Sequence, residues 1–123
     1  MTAVASFAMI SLDCDQPAAL ADFYHQILGF QIACNEGDHA MISEGPLSIG
    51  FGRIDGYTPP RWPDPRAPKQ FHPDFYVADL DKAEAACLEA GTAKLDHQPG
   101  GERWRVLTDP AGHPFCICVK QQG

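Results

Sequence analysis

Residues 17–30 read PAALADFYHQILGF. Leu20, Phe23, Tyr24, Ile27 and Leu28 recur at helical spacing, and Gly29 stands where the residue that closes a helix belongs. The stretch therefore predicts a helix from about Gln16 to Leu28. Upstream, Ala5 to Leu12 is a short apolar run suited to a strand, and Asp13-Cys14-Asp15 supplies turn and N-cap chemistry. Downstream, three short strands are expected near Phe30 to Cys34, His39 to Ser43 and Leu47 to Arg53, separated by Asn35-Glu36-Gly37-Asp38 and Glu44-Gly45-Pro46. The order is βαβββ.

Residues 54–70, IDGYTPPRWPDPRAPKQ, hold five of the eleven prolines without periodicity and read as a linker or irregular loop. The pattern then starts again. Phe71 to Val77 suits a strand, and Ala78-Asp79-Leu80-Asp81 suits a turn and helix start. Ala83, Ala86, Cys87 and Ala90 make a small-residue helical stripe that Gly91 closes. Strands are expected near Ala93 to His97, Arg103 to Thr108 and Phe115 to Val119. Leu12-Asp13 overlays Val77-Ala78-Asp79, Gly29 overlays Gly91, and residues 43–46 overlay 108–112, so the chain is an internal duplication. The expectation is one domain over 1–123: module one at about 5–53, the linker at 54–70 and module two at about 71–120. Neither half has enough core alone, so the halves should pack together or pair with those of another subunit.

Hydrophobic residues make up 45% and charged residues 20% of the 123, an ordinary soluble composition that argues against disorder. The net charge of -7, with no basic run to offset it, disfavours nucleic acid and anionic lipid as partners. No apolar run approaches the roughly 18 residues of a membrane span, and the first residues carry no basic segment before their apolar stretch, so a cytoplasmic protein is expected. The five cysteines lack CxxC spacing and read as thiols. Cys116 and Cys118 would share one face of a strand with Cα atoms ~6.5 to 7 Å apart, at or beyond the limit for a disulfide.

The run Ala21-Asp22-Phe23-Tyr24-His25-Gln26-Ile27-Leu28-Gly29-Phe30 resembles the FY..xLGF signature of the vicinal-oxygen-chelate superfamily, which comprises glyoxalases, bleomycin resistance proteins and dioxygenases. Asp109-Pro110-Ala111-Gly112-His113-Pro114-Phe115 resembles its DPxGxxF turn into the last strand. With His72-Pro73-Asp74-Phe75-Tyr76-Val77 and the duplication, the resemblance covers nearly the whole chain and is close to the small glyoxalase-like branch. It implies an α+β fold of two βαβββ modules, with a curved mixed sheet around a cleft and helices on the convex side. Metal-dependent members take ligands from cleft-facing positions of the first and last strands of each module; metal-free members bind bleomycin-type drugs. Fold alone does not choose between them.

Strand alternation assigns faces within that expected cleft. Phe7, Met9 and Ser11 would face it on the first strand, with Ala8, Ile10 and Leu12 under the helix. Ser48, Gly50 and Gly52 would do so on the fourth, with Leu47, Ile49 and Phe51 in the core. On the fifth, His72, Asp74 and Tyr76 face the cleft, and on the last Cys116 and Cys118. Matched by distance from the motifs, the four ligand positions fall on Phe7, a residue near Gly50, His72 and Cys116, where metal-binding members have His or Gln, Glu, His and Glu. Only His72 agrees, so no bound metal and no cofactor are expected.

His72 suits a general base, a hydrogen-bonding anchor for a ligand or an inherited structural role, and Asp74 could orient it or simply be solvated. Cys116, Cys118 and His72 offer zinc-ligand chemistry, but cysteines two apart on a strand converge poorly; buried thiols are the plainer reading. Trp104, between Arg103 and Arg105, and Trp62 offer aromatic walls and a cationic contact, against ordinary packing with solvated arginines. His25, His39, His97 and His113 receive no role. The ligand-binding set is thus Phe7, Met9, His72, Asp74, Tyr76, Trp104, Arg105 and Cys116, with His72 the one catalytic candidate. Three functions compete: a metal-independent binder of a small metabolite or antibiotic, a glyoxalase-type lyase or isomerase with His72 as acid, base or metal ligand, and a partner module with a vestigial cleft. A homodimer is expected, as is common in this superfamily.

Overall fold

The computed structural model describes residues 3–64, 66 and 71–120. The chain divides into two compact units, Met1–Tyr57 and Thr58–Gly123. Unit 1 holds β1 (Ile10–Cys14), α1 (Pro17–Leu28), β2 (Gln31–Asn35), β3 (His39–Glu44) and β4 (Leu47–Arg53). Unit 2 repeats the order with β5 (Asp74–Val77), α2 (Leu80–Ala90), β6 (Ala93–Lys94), β7 (Trp104–Thr108) and β8 (Pro114–Val119). Each unit is thus a βαβββ module with a four-stranded mixed sheet, ordered β1-β4-β3-β2 in the first and β5-β8-β7-β6 in the second. In each, the first strand runs parallel to the last and the remaining pairs are antiparallel. The fold is α+β, as the repeated pattern implies.

The apolar stripe of α1 buries Leu20, Phe23 and Tyr24, and the Tyr24 ring stacks on Phe51 of β4 with centroids 5.8 Å apart. Side chains of this size each contribute about 1.5–3 kcal/mol when fully buried. Gly29 ends the helix with φ of 76°, a conformation that a Cβ would strain. The expected N-cap is absent: Gln16 occupies the position and caps nothing, and Pro17, with no N–H to satisfy, begins the helix. In unit 2 the Asp79 carboxylate does cap α2, accepting from the Lys82 N–H at 2.9 Å.

Three strand boundaries and one core assignment differ from expectation. β1 begins at Ile10, not Ala5, because its register on β4 starts at Ile10 opposite Ile49 and ends at Cys14 opposite Arg53. Cys14 is fully buried and donates to the Gly52 carbonyl. Leu47 is 60% exposed and not core, since it sits at the hairpin end of β4 opposite Glu44. β5 begins at Asp74, so His72 precedes the strand. β6 is two residues long, and the Gln98 carboxamide takes over the edge of β7: it accepts from the Val106 N–H at 3.0 Å and donates to the Val106 carbonyl at 2.9 Å. Side-chain chemistry here does what a longer strand would.

The motif at 109–115 forms the turn into β8. Asp109 is buried, and its carboxylate accepts from the Ala111 and His113 N–H groups at 2.9 and 3.0 Å. Gly112, at φ of 87°, packs where a Cβ would meet Pro59 at 2.6 Å. This turn sets the start of the strand that carries Cys116 and Cys118.

Candidate functional site

Parallel pairing of β5 with β8 puts Asp74 opposite Cys116 and Tyr76 opposite Cys118, and antiparallel pairing of β8 with β7 puts Trp104 opposite Cys118. Residues paired across neighbouring strands present their side chains on one face. These five, with His72 just before β5, line a cavity of about 460 Å³ lying wholly in unit 2. The Cys116 N–H donates to the Pro73 carbonyl at 3.0 Å, which fixes the segment carrying His72 against β8.

His72 Nε2 lies 3.3 Å from Asp74 Oδ1, with the imidazole about a quarter exposed and the carboxylate mostly exposed. Cys116 is 5% exposed, hidden from bulk solvent while bordering the cavity. One donor atom each from His72, Asp74 and Cys116 lies within 4.8 Å of the others. Aromatic walls carry cations: the Arg103 guanidinium sits 4.9 Å from the Trp104 ring centroid, and the Lys120 ammonium 5.8 Å from that of Tyr76. The site thus combines an imidazole–carboxylate pair, a thiol and two aromatic rings with cationic neighbours, an environment suited to a flat molecule with a polar or anionic end.

Of the residues singled out from sequence, the structure gathers His72, Asp74, Tyr76, Trp104 and Cys116 in this cavity. Arg105 lies on the opposite face of β7, where its guanidinium bonds Asp81 at 2.9 Å and Glu84 at 3.3 Å on α2. The hydrogen bond to Asp81 and the charges of both acids raise its pKa further. Strand alternation explains the split: Trp104 and Arg105 are neighbours in sequence and cannot share a face. Arg103 supplies the cationic contact instead. Phe7 and Met9 precede β1 in unit 1, with Phe7 81% exposed. Trp62 borders a separate cavity of about 380 Å³ with Pro63, Asp64 and His97, its ring 5.5 Å from the His97 imidazole. Cys118, Arg103 and Lys120 were not in the predicted set. Alternation places Cys118 with Cys116, but nothing in the sequence pattern brings Lys120 over Tyr76.

A hard divalent ion of the kind used by metal-dependent glyoxalase-like proteins does not fit the residues present. Of the positions matched in unit 1, Phe7 offers a phenyl ring. Gly50 has no donor side chain, and a Cβ there would already meet Met9 Sδ and Ser11 Oγ at 3.1 Å. The residues lining the unit 2 cavity supply a single carboxylate, Asp74, already paired with His72. Manganese- and magnesium-type ions take six oxygen-rich ligands, and this set falls well short.

The sequence model of the family described as Glyoxalase-like domain matches residues 9–118. No curated protein sequence matches the chain. Among solved structures it is similar to a glyoxalase/bleomycin resistance protein/dioxygenase family enzyme from Burkholderia phytofirmans, at 19% identity and a TM-score of 0.67 over 92% of this chain and 97% of that one. A glyoxalase family protein from Enterococcus faecalis is similar at 19% identity and a TM-score of 0.65, over 94% and 98%. The fosfomycin resistance protein FosX from Listeria monocytogenes, solved with Mn(II) and sulfate, is similar at 13% identity and a TM-score of 0.69, over 97% and 95%. At these identities the likeness extends to the fold.

Proposed function

This chain belongs to the glyoxalase-like domain family, and from that premise we propose that it binds a small organic molecule in the unit 2 cavity without a resident metal. The observation that carries the reading is the convergence of Trp104, Tyr76, His72 and Asp74 on one cavity; the positions matched to the family's metal ligands, Phe7, a residue near Gly50 and Cys116, add no carboxylate to it. Trp104 and Tyr76 form walls for a planar apolar body. Arg103 and Lys120 draw an anionic or electron-rich end toward those walls. His72, held by Asp74, hydrogen-bonds the polar end and turns the same way each time because its partner limits its rotation. Metabolites or antibiotics of this shape are the ligand class.

The chain works as a homodimer in this reading. Each sheet ends on two edge strands, and large apolar side chains such as Ile10, Ile32 and Val119 are at least two-fifths exposed in the single chain. All five cysteines are thiols, which accords with a reducing compartment such as the cytoplasm. Among the described residues no helix is long and apolar enough to cross a membrane.

A second reading, a lyase or isomerase of the glyoxalase type, is favoured by one observation: His72 and Asp74 stand at 3.3 Å beside the cavity, an arrangement that can pass a proton. The test is a titration of 8-anilinonaphthalene-1-sulfonate, a planar aromatic anion, into the Trp62→Phe protein, where Trp104 is the sole indole. Saturable binding, weakened by His72→Ala and Trp104→Phe with circular dichroism unchanged, supports the binder. Isomerisation of a glutathione–methylglyoxal adduct dependent on His72 would replace it with the enzyme.

A further inference from the structure

We propose that Cys116 is a nucleophile that captures conjugated carbonyl electrophiles covalently within the cavity, with His72 as its proton acceptor and Asp74 as the group that orients His72. The inference rests on the reading of this cavity as a ligand site and adds a bond-forming step to it. A thiol, an imidazole and a carboxylate whose reactive atoms lie within 4.8 Å of one another form the nucleophile, base and orienting group that covalent catalysis requires. The 3.3 Å contact of Asp74 with His72 steadies the imidazole and stabilises the cation formed when it takes a proton. A separation within 4.8 Å is one that a proton crosses by direct contact or through one bridging water.

The surroundings single out this thiol from the other four. Cys14 is fully buried and donates to the Gly52 carbonyl. Cys118 borders the same cavity but stands outside the cluster that Cys116 forms with His72 and Asp74. Cys87 is buried on α2, and burial pushes its thiol pKa up. Cys34 is half-buried on β2, away from that cluster, and serves as the internal reference. Cys116 alone combines a cavity with a neighbouring imidazole–carboxylate pair. The rings of Tyr76 and Trp104 border the same cavity as its sulfur and offer walls for a flat conjugated acceptor.

In the step, the thiol proton passes to the His72 imidazole and the sulfur lone pair closes a C–S bond at the β-carbon of the acceptor. The C=C electron pair moves toward the carbonyl to give an enolate, whose α-carbon takes the proton back from the imidazolium. The sum is an addition: one S–H and one C=C π bond are exchanged for one C–S and one C–H bond, and nothing is oxidised or reduced.

The probe is N-ethylmaleimide, a small planar conjugate acceptor, added to the full chain below one equivalent, with the labelled cysteine located by peptide mass spectrometry over time. Cys116 is expected to label before Cys34, and His72→Ala is expected to slow labelling of Cys116 by about tenfold or more while leaving Cys34 at its original rate. Labelling of Cys34 ahead of Cys116, or a Cys116 rate indifferent to His72→Ala, overturns the inference. Anilinonaphthalene sulfonate binding by Cys116→Ser keeps the two proposals apart. Retained binding with an unreactive Cys116 removes only the covalent step. A reactive Cys116 in a protein that binds no dye supports the nucleophile and removes the reversible binding site.

Discussion

Gly100 lies against the indole of Trp104, so that a Cβ at residue 100 would run into ring carbons Cδ2 and Cε2. The glycine therefore sets where the cavity wall stands. Gly100→Ala should force the ring aside and strain the turn, lowering stability by about 1–3 kcal/mol. Dye affinity should fall in the same variant. Urea unfolding and dye titration read the two effects, and a variant unchanged in both would show that the ring has room to yield.

Arg105 and His72 should separate stability from binding. Arg105→Ala removes bonds to Asp81 and to Glu84, whose side chain is 17% exposed, and leaves Lys94 as the remaining partner of Glu84. A loss of about 1–3 kcal/mol in unfolding free energy is expected, with dye affinity unchanged. His72→Ala should do the reverse: dye affinity falls about three- to tenfold while stability stays within about 0.5 kcal/mol. Equal losses of affinity in both variants would mean that Arg105 acts on the cavity after all.

Cys87 makes stability depend on alkaline pH. Burial raises its thiol pKa in the folded chain, so above the ordinary thiol range the unfolded chain has released a proton that the folded chain still holds. The unfolded state then binds fewer protons, and stability falls as pH rises through that range. Cys87→Ala should flatten this part of the profile, measured as urea midpoints at successive pH values from neutral upward. A slope identical in the two proteins would contradict the assignment.

The proposed homodimer would cover exposed edges and apolar side chains of the two sheets. Light scattering coupled to size exclusion at micromolar concentration should return about twice the 13.4 kDa chain mass. A particle of one chain mass would show that the apolar residues stay solvated.

The module order was legible because two signals repeat: an amphipathic helix ending in glycine at Gly29 and again at Gly91, each followed by short strand runs. Helix bounds in particular follow from stripe and cap, and α1 ends at Leu28 as its spacing predicts. Strand starts were less legible, since a strand extends only as far as its partner's register allows. The apolar run from Ala5 outlasts its partner, and β1 starts at Ile10. Alternation groups Asp74 with Tyr76 on β5 and Cys116 with Cys118 on β8, and the pairing of these two strands, more than forty residues apart in sequence, brings them to one cavity with His72. It also puts Arg105 on the face opposite Trp104, but the partners that hold it there, Asp81 and Glu84, lie more than twenty residues away in sequence and left no mark in the pattern. For the same reason Lys120 over Tyr76 left no mark in the pattern.

Metal-independent binding in the unit 2 cavity is tested most directly by one comparison: dye affinity of the chain dialysed against EDTA, set beside that of the same chain supplied with Mn(II), Ni(II) or Zn(II). Binding without a metal predicts one affinity throughout, weakened by substitution of Trp104 or His72 and not by chelation. Binding lost on chelation and restored by one equivalent of metal, with His72→Ala unable to recover it, would contradict the account.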